Sequence, residues 1–169
     1  MLEAAGITYR VTGSVAAICH GFPRGTQDID ILIDPSPEAL ERLLSQFPED
    51  RFYVSRDAAR DALRQRRMFN VIEFEGGWKA DLIVPRQRPF SRAELERGVM
   101  WEVDGHPVHV VTAEDLLLAK LEWARDGQSG RQLEDSASLL RARRTDLDHA
   151  YLQRWIDELQ LREQWAKIQ

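Results

Sequence analysis

No stretch constrains the fold more than residues 28 to 33, Asp28-Ile-Asp-Ile-Leu-Ile33, closed by Asp34-Pro35. Alternation with a period of two is the signature of an extended strand, so Asp28 and Asp30 project from one face and the isoleucines from the other. The apolar face requires a core beneath a sheet. The acidic face sets two anions side by side, and their repulsion raises one pKa or costs stability unless a cation sits between them. A solvated acidic face on an edge strand also fits this pair taken alone. Asp81 weighs against that arrangement. It lies in Lys79-Ala-Asp-Leu-Ile-Val84, a second apolar strand where an unpaired carboxylate is expensive to bury. Three carboxylates on neighbouring strands make a hard oxygen site suited to Mg²⁺ or Mn²⁺. Such a site can hold two ions roughly 3.5 to 4 Å apart for in-line displacement at phosphorus.

The rest of the chain reads as strands first and helices last. Residues 8 to 12 predict a strand, Gly13-Ser14 a tight turn, and residues 15 to 20 a short helix. A Gly- and Pro-containing loop, residues 21 to 27, leads into the acidic strand. Ser36 is the expected N-cap of a helix from about Pro37 to Gln46. A short strand at 52 to 54 and a charged, exposed helix at 57 to 67 follow. Strands at 69 to 74 and 78 to 84 flank Glu75-Gly-Gly, a hairpin signal. After a break at Pro85 to Pro89 come one or two helical turns at 91 to 97, then a hairpin whose strands flank Asp104-Gly105. Thr112 caps a helix running to about Arg125. Residues 131 to 143 form the next helix, and 148 to 168 form one or two more, with Tyr151, Leu152, Trp155 and Ile156 on their apolar faces. The predicted class is α+β: a small mixed sheet as a catalytic core over residues 1–111, with a helical segment, residues 112–169, packed on it.

Composition excludes several classes of function. Of 169 residues 43% are hydrophobic and five are tryptophan, which argues against disorder. The lone Cys19 can build neither an intramolecular disulfide nor a cysteine-type zinc site. There is no signal-like start and no spanning apolar run, so a soluble, cytoplasmic protein is expected. Net charge is −5 and neither half of the chain is basic, which argues against non-specific coating of DNA. The 23 cations divide into 20 Arg and only 3 Lys, namely Lys79, Lys120 and Lys167. Lys120 shares a helix face with Leu116, Leu117, Leu121 and Ala124. Its ammonium must therefore snorkel out or meet an anion, either a triphosphate or Asp135 on the next helix. The four histidines show no metal-ligand spacing, and the tryptophans are read as core, with base-stacking platforms as the alternative. The runs Arg64-Gln-Arg66-Arg67 and Arg143-Arg144 are read as solvated faces, with contact to an RNA or protein acceptor as the alternative.

A strand, Gly13-Ser14 and a helix aim free backbone N–H groups and a hydroxyl outward, an arrangement that receives phosphate. Together, Gly13-Ser14, Asp28-Ile-Asp30-Ile31 and Ala80-Asp81-Leu82 resemble the signature of the polymerase-β-type nucleotidyltransferase superfamily. Within it, Arg24-x-Thr26-x-Asp28-Ile-Asp30, Leu118-Ala-Lys120-Leu121 and Arg131 to Asp135 resemble small bacterial AbiEii-like proteins. The resemblance spans about residues 9 to 140. It implies that Asp28 and Asp30 bind the metal that holds a nucleoside triphosphate, and that Asp81 joins a second metal and helps activate the acceptor hydroxyl. It implies that Gly13 and Ser14 contact the β- and γ-phosphates, and that Arg24, Thr26 and Lys120 serve the nucleotide. Asp135 resembles the subgroup's fourth motif.

The expected activity is therefore Mg²⁺- or Mn²⁺-dependent transfer of a nucleoside monophosphate from an NTP to a hydroxyl, with release of pyrophosphate. By resemblance the acceptor is tRNA or another macromolecule, RNA or protein, in a toxin-like role, with no membrane partner. The alternatives are a small-molecule (antibiotic) nucleotidyltransferase and a binding protein of the same scaffold without turnover, such as the partner subunit of a toxin–antitoxin pair.

Overall fold

The computed structural model of the protein describes residues 1–22, 25–103, 105–143 and 145–169. Seven strands build one mixed sheet: β1 (Thr8–Thr12), β2 (Asp28–Asp34), β3 (Phe52–Val54), β4 (Met68–Glu73), β5 (Lys79–Ile83), β6 (Val99–Val103) and β7 (His106–Val110). Their spatial order is β3-β4-β5-β2-β1-β7-β6. The acidic strand is central, antiparallel to β1 and parallel to β5, so the edge-strand arrangement does not occur. Its own residues Leu32 and Ile33 are both buried and face opposite sides, so the sheet is covered on both faces. Ile33 joins Phe69, Val71 and Leu82 in a core closed by α2 (Pro37–Leu44) and α3 (Arg56–Gln65). Leu32 joins a second core with α1 (Gly13–Cys19), α4 (Pro89–Glu96) and the C-terminal helices.

Those helices are α5 (Ala113–Gly127), α6 (Gly130–Arg143), α7 (His149–Glu158) and α8 (Arg162–Ala166). The caps expected from sequence hold their helix starts. Ser36 Oγ accepts from the Ala39 amide at 3.1 Å, and Thr112 Oγ1 from the Asp115 amide at 3.2 Å. Thr112 also donates to Asp115 Oδ2 at 2.7 Å, while Tyr151 donates to Asp115 Oδ1 at 2.6 Å, which clasps α7 to the start of α5. The Arg97 guanidinium lies 3.5 Å over the Tyr151 ring and completes the clasp. Among the described residues no helix is long and apolar enough to cross a membrane.

Three expectations are corrected. First, α1 begins at Gly13 itself, two residues before the predicted start. Second, α3 is not simply exposed: Ala59 and Ala62 are buried against the sheet, because its charged residues leave one small-residue stripe free to pack. Third, of the five tryptophans expected in the core only Trp155 is fully buried, while Trp78, Trp101 and Trp123 are exposed. They lie next to hairpins or on the outer side of α5, where no further layer covers them. The predicted β6–β7 hairpin is present, with Asp104 of its turn outside the described residues.

Candidate active site

The register of the sheet assembles the acidic cluster. Asp28 lies opposite Lys79 and Asp30 opposite Asp81 in the parallel β2–β5 pair. Aligned residues of a parallel pair share a face, so all three carboxylates look out from the same side. Asp28 is exposed, Asp30 half-buried and Asp81 buried. Burial, and then the negative charges of Asp81 and Asp28, raise the pKa of Asp30, while Lys79 and Lys120 pull it back down. A carboxylate in that position favours an added cation.

Two residues not read as functional from the sequence hold this cluster. Lys79 Nζ sits 3.1 Å from Asp81 Oδ2 and 3.6 Å from Asp28 Oδ2. Its pKa is raised, first by the hydrogen bond to Asp81. Asn70 pairs with Asp81 across the antiparallel β4–β5 ladder and donates to Asp81 Oδ1 at 2.7 Å. Both follow from alternation and register, because Lys79 is two residues before Asp81 and Asn70 is its cross-strand partner. The signal was present but needed the β4–β5 pairing to be read.

Gly13 is locked to the cluster by space. Its φ is +62°, and a Cβ there would stand 1.9 Å from Asp30 Oδ2 and 2.9 Å from Asp30 Cβ. Only glycine fits, which ties the turn opening α1 to the second aspartate. Thr12, opposite Asp30 in the β1–β2 pair, makes no side-chain cap bond to the first turn of α1. Ser14 is half-buried in that turn. Thr26 shapes the start of β2: its hydroxyl donates to the Asp28 carbonyl at 2.9 Å and accepts from the Asp28 amide at 3.1 Å. Arg24 lies outside the described residues.

Lys120 resolves to one of its two expected anions. Its ammonium is buried and donates to Asp135 Oδ2 at 3.0 Å and to Gln132 Oε1 at 3.3 Å, joining α5 to α6. Its positive charge lowers the pKa of Asp30.

The aspartate-bearing face continues into a cleft of about 480 Å³. Leu32 and Ile83, two residues beyond Asp30 and Asp81 on the same face, form part of its floor with Thr12 and Met68, and α4 and α5 supply Phe90, Glu94 and Trp123. The size suits a small ligand or part of a larger one. Nothing in the local sequence marks Glu94, since Glu in Pro89–Glu96 looks like any helical surface acid. It is buried, no hydrogen bond or ion pair reaches its carboxyl among the described residues, and its pKa is pushed up to about 8. Burial is the main cause, then the charge of Asp115, with Arg88 opposing and Glu122 adding. An apolar cleft of about 520 Å³ lies on the other face, among Ile29, Ile31, Val71 and Leu82, away from the carboxylates.

Among the described residues no set of three or more Asp, Glu, His or Cys side chains converges as a complete metal cage would. Mg²⁺ rarely demands one: it keeps waters and is held by one or two carboxylates together with substrate phosphates. Asp28 and Asp30 on one face, with the glycine turn pressed against Asp30, fit an ion that arrives with a phosphate ligand.

Solved structures share this fold. An antigenic nucleotidyltransferase-like protein from Paracoccidioides brasiliensis superposes with a TM-score of 0.58 at 17% identity, covering 99% of this chain and 86% of that one. The chain has a nucleotidyltransferase-like fold. ANT(2")-Ia, in complex with adenylyl-2"-tobramycin, gives 0.55 at 14% identity over 97% and 94% of the two chains. The lincosamide antibiotic adenylyltransferase LnuA, lincomycin-bound, gives 0.52 at 13% identity over 81% and 88%. Comparisons with family models and with curated proteins found no match.

Proposed function

We propose that the protein is a divalent-metal-dependent nucleotidyltransferase that moves a nucleoside monophosphate from an NTP to a hydroxyl. One observation carries this reading: the backbone of Gly13 lies so close to the Asp30 carboxylate that a Cβ there would stand 1.9 Å from Asp30 Oδ2, and Asp30 itself lies opposite Asp81. A phosphate-receiving turn and a three-carboxylate face are thereby one unit. The adenylyltransferase neighbours support the same chemistry.

In this reading Asp28 and Asp30 hold the ion, and the ion supplies charge neutralisation at the phosphates. The amides of the first turn of α1 orient the β- and γ-phosphates. Asp81, steadied by Asn70, takes the proton of the acceptor hydroxyl as its oxygen bonds to the α-phosphorus and the bond to the β-phosphate oxygen breaks. Pyrophosphate leaves. Lys79 balances the cluster's charge while no nucleotide is bound, and the Lys120–Asp135 pair fastens α5 to α6. Most of the rate enhancement is positioning and electrostatics.

Thermal unfolding tests it. Mg²⁺ and an NTP together should raise Tm by roughly 5 to 10 °C at a hundredfold excess over Kd, following from linkage and the usual entropy of unfolding at this size. Asp28→Asn should abolish that gain. A wild-type protein that gains nothing with any NTP, in Mg²⁺ or Mn²⁺, contradicts the reading.

A further inference from the structure

Two arginines of the 64–67 run, Arg66 and Arg67, gather with Arg86, Arg88 and Arg92 beside the carboxylate face. Arg66, Arg67, Arg86 and Arg88 line the 480 Å³ cleft, and Arg66, Arg86, Arg88 and Arg92 line an adjoining cleft of about 490 Å³. The two clefts share Pro85 and Ser91 as well, so they form one groove running from the ends of β2 and β5 along the start of α4. Its acids are mostly spoken for. Arg66 pairs with Asp34 at 3.1 Å, Arg86 with Asp126 at 3.8 Å, and Arg88 donates to Glu122 at 2.7 Å. Arg67 and Arg92 are exposed and have no side-chain partner among the described residues. At the rim Trp123 is 56% exposed and Met68 42% exposed. In a chain of net charge −5, guanidinium groups with an exposed indole beside them form a local site for a polyanion with flat bases.

We propose that this groove seats a single-stranded RNA that carries the acceptor hydroxyl to Asp81. The inference rests on the nucleotidyltransferase reading for the hydroxyl's fate, but the binding itself does not need it. Arg67 and Arg92 contact phosphates, Trp123 stacks on a base, and the strand end reaches the carboxylates along the floor of Thr12, Leu32 and Ile83. Arginine suits phosphate because its planar fork donates in pairs.

Fluorescence anisotropy with a dye-labelled oligo-uridine, in EDTA and without NTP, tests the groove separately from the chemistry. Wild-type binding should weaken with salt. In Arg67→Ala/Arg92→Ala the slope of log K against log salt should shrink by about 1.4, which is two contacts at about 0.7 each on a single strand. Trp123→Ala should weaken binding about fivefold or more with the slope unchanged. Arg154→Ala, on the exposed side of α7, should change neither. Three results overturn the proposal: no salt-dependent binding by wild type, a double variant with the wild-type slope, or displacement of the RNA by oligo-glutamate of equal charge at equal concentration. The last would mean that the groove reads an acidic protein. If RNA binds as expected but Mg²⁺ and NTP give no thermal shift, the groove stands and the transferase reading fails.

Discussion

Gly13→Ala is expected to lose transfer activity by at least about a hundredfold and stability by roughly 2 to 5 kcal/mol. Two costs add. A non-glycine residue held at φ +62° pays about 1 to 2 kcal/mol for the left-handed backbone, and overpacking a closed site costs about 1 to 3 kcal/mol more. The new methyl group would stand 1.9 Å from Asp30 Oδ2, 2.7 Å from its Cγ and 2.9 Å from its Cβ. A change of rotamer at Asp30 moves the carboxylate but leaves its Cβ where it is, so the β1–β2 pair itself must shift. Displacing a reacting group by about 1 Å is enough for a hundredfold loss. Urea unfolding and NTP turnover check both parts. An alanine variant equal to wild type in both would show that Asp30 and the turn are not coupled.

Glu94→Gln is expected to stabilise the protein as pH rises. The folded-state pKa of Glu94 is pushed up to about 8, above the ordinary value near 4.3 for an unfolded chain. The folded protein therefore holds this proton more tightly than the unfolded chain does. Stability associated with it is fully present below about pH 4 and is lost as pH climbs to about 8, at up to about 1.4 kcal/mol per pH unit. Glutamine keeps the shape of the protonated acid and cannot ionise. The two proteins should match near pH 4.5, and the variant should be more stable by on the order of 3 kcal/mol at pH 7, with no further divergence above pH 8. Asp115, Arg88 and Glu122, the charged groups acting on Glu94 from α5 and the segment before α4, are present in both proteins, so only their coupling to the Glu94 charge differs between the two curves. Denaturant unfolding from pH 4.5 to 9 measures it. Parallel curves would mean that water reaches the carboxyl and leaves it ionised.

The carboxylate face was legible because it is written in local alternation. Asp28 and Asp30 occur two apart among isoleucines, Asp81 recurs in an equally apolar strand, and the helix caps at Ser36 and Thr112 rest on single residues beside their helices. What escaped depends on contacts far apart in sequence. Asn70 becomes a partner of Asp81 only through the β4–β5 register, and Lys79 reaches Asp28 only through the β2–β5 register. Glu94 is buried only because α5 and the β5–α4 segment close over α4, and nothing in Pro89–Glu96 announces that cover. The tryptophans were misread for a related reason. A large aromatic predicts burial on average, yet Trp123 projects from the side of α5 that no later helix covers. The arginine run at residues 64 to 67 illustrates the same limit: Arg64 pairs with Asp61 along its own helix, while Arg66 and Arg67, past the left-handed end of α3, turn toward the cleft.

The most direct measurement follows the phosphorus. The protein is incubated with Mg²⁺, total RNA and each NTP in turn, labelled at either the α- or the γ-phosphate. Nucleotidyl transfer predicts α-label in the acceptor, γ-label only in released pyrophosphate, and neither with Asp30→Asn. Gamma-label in the acceptor, or unchanged α-label transfer by Asp30→Asn, would contradict the account.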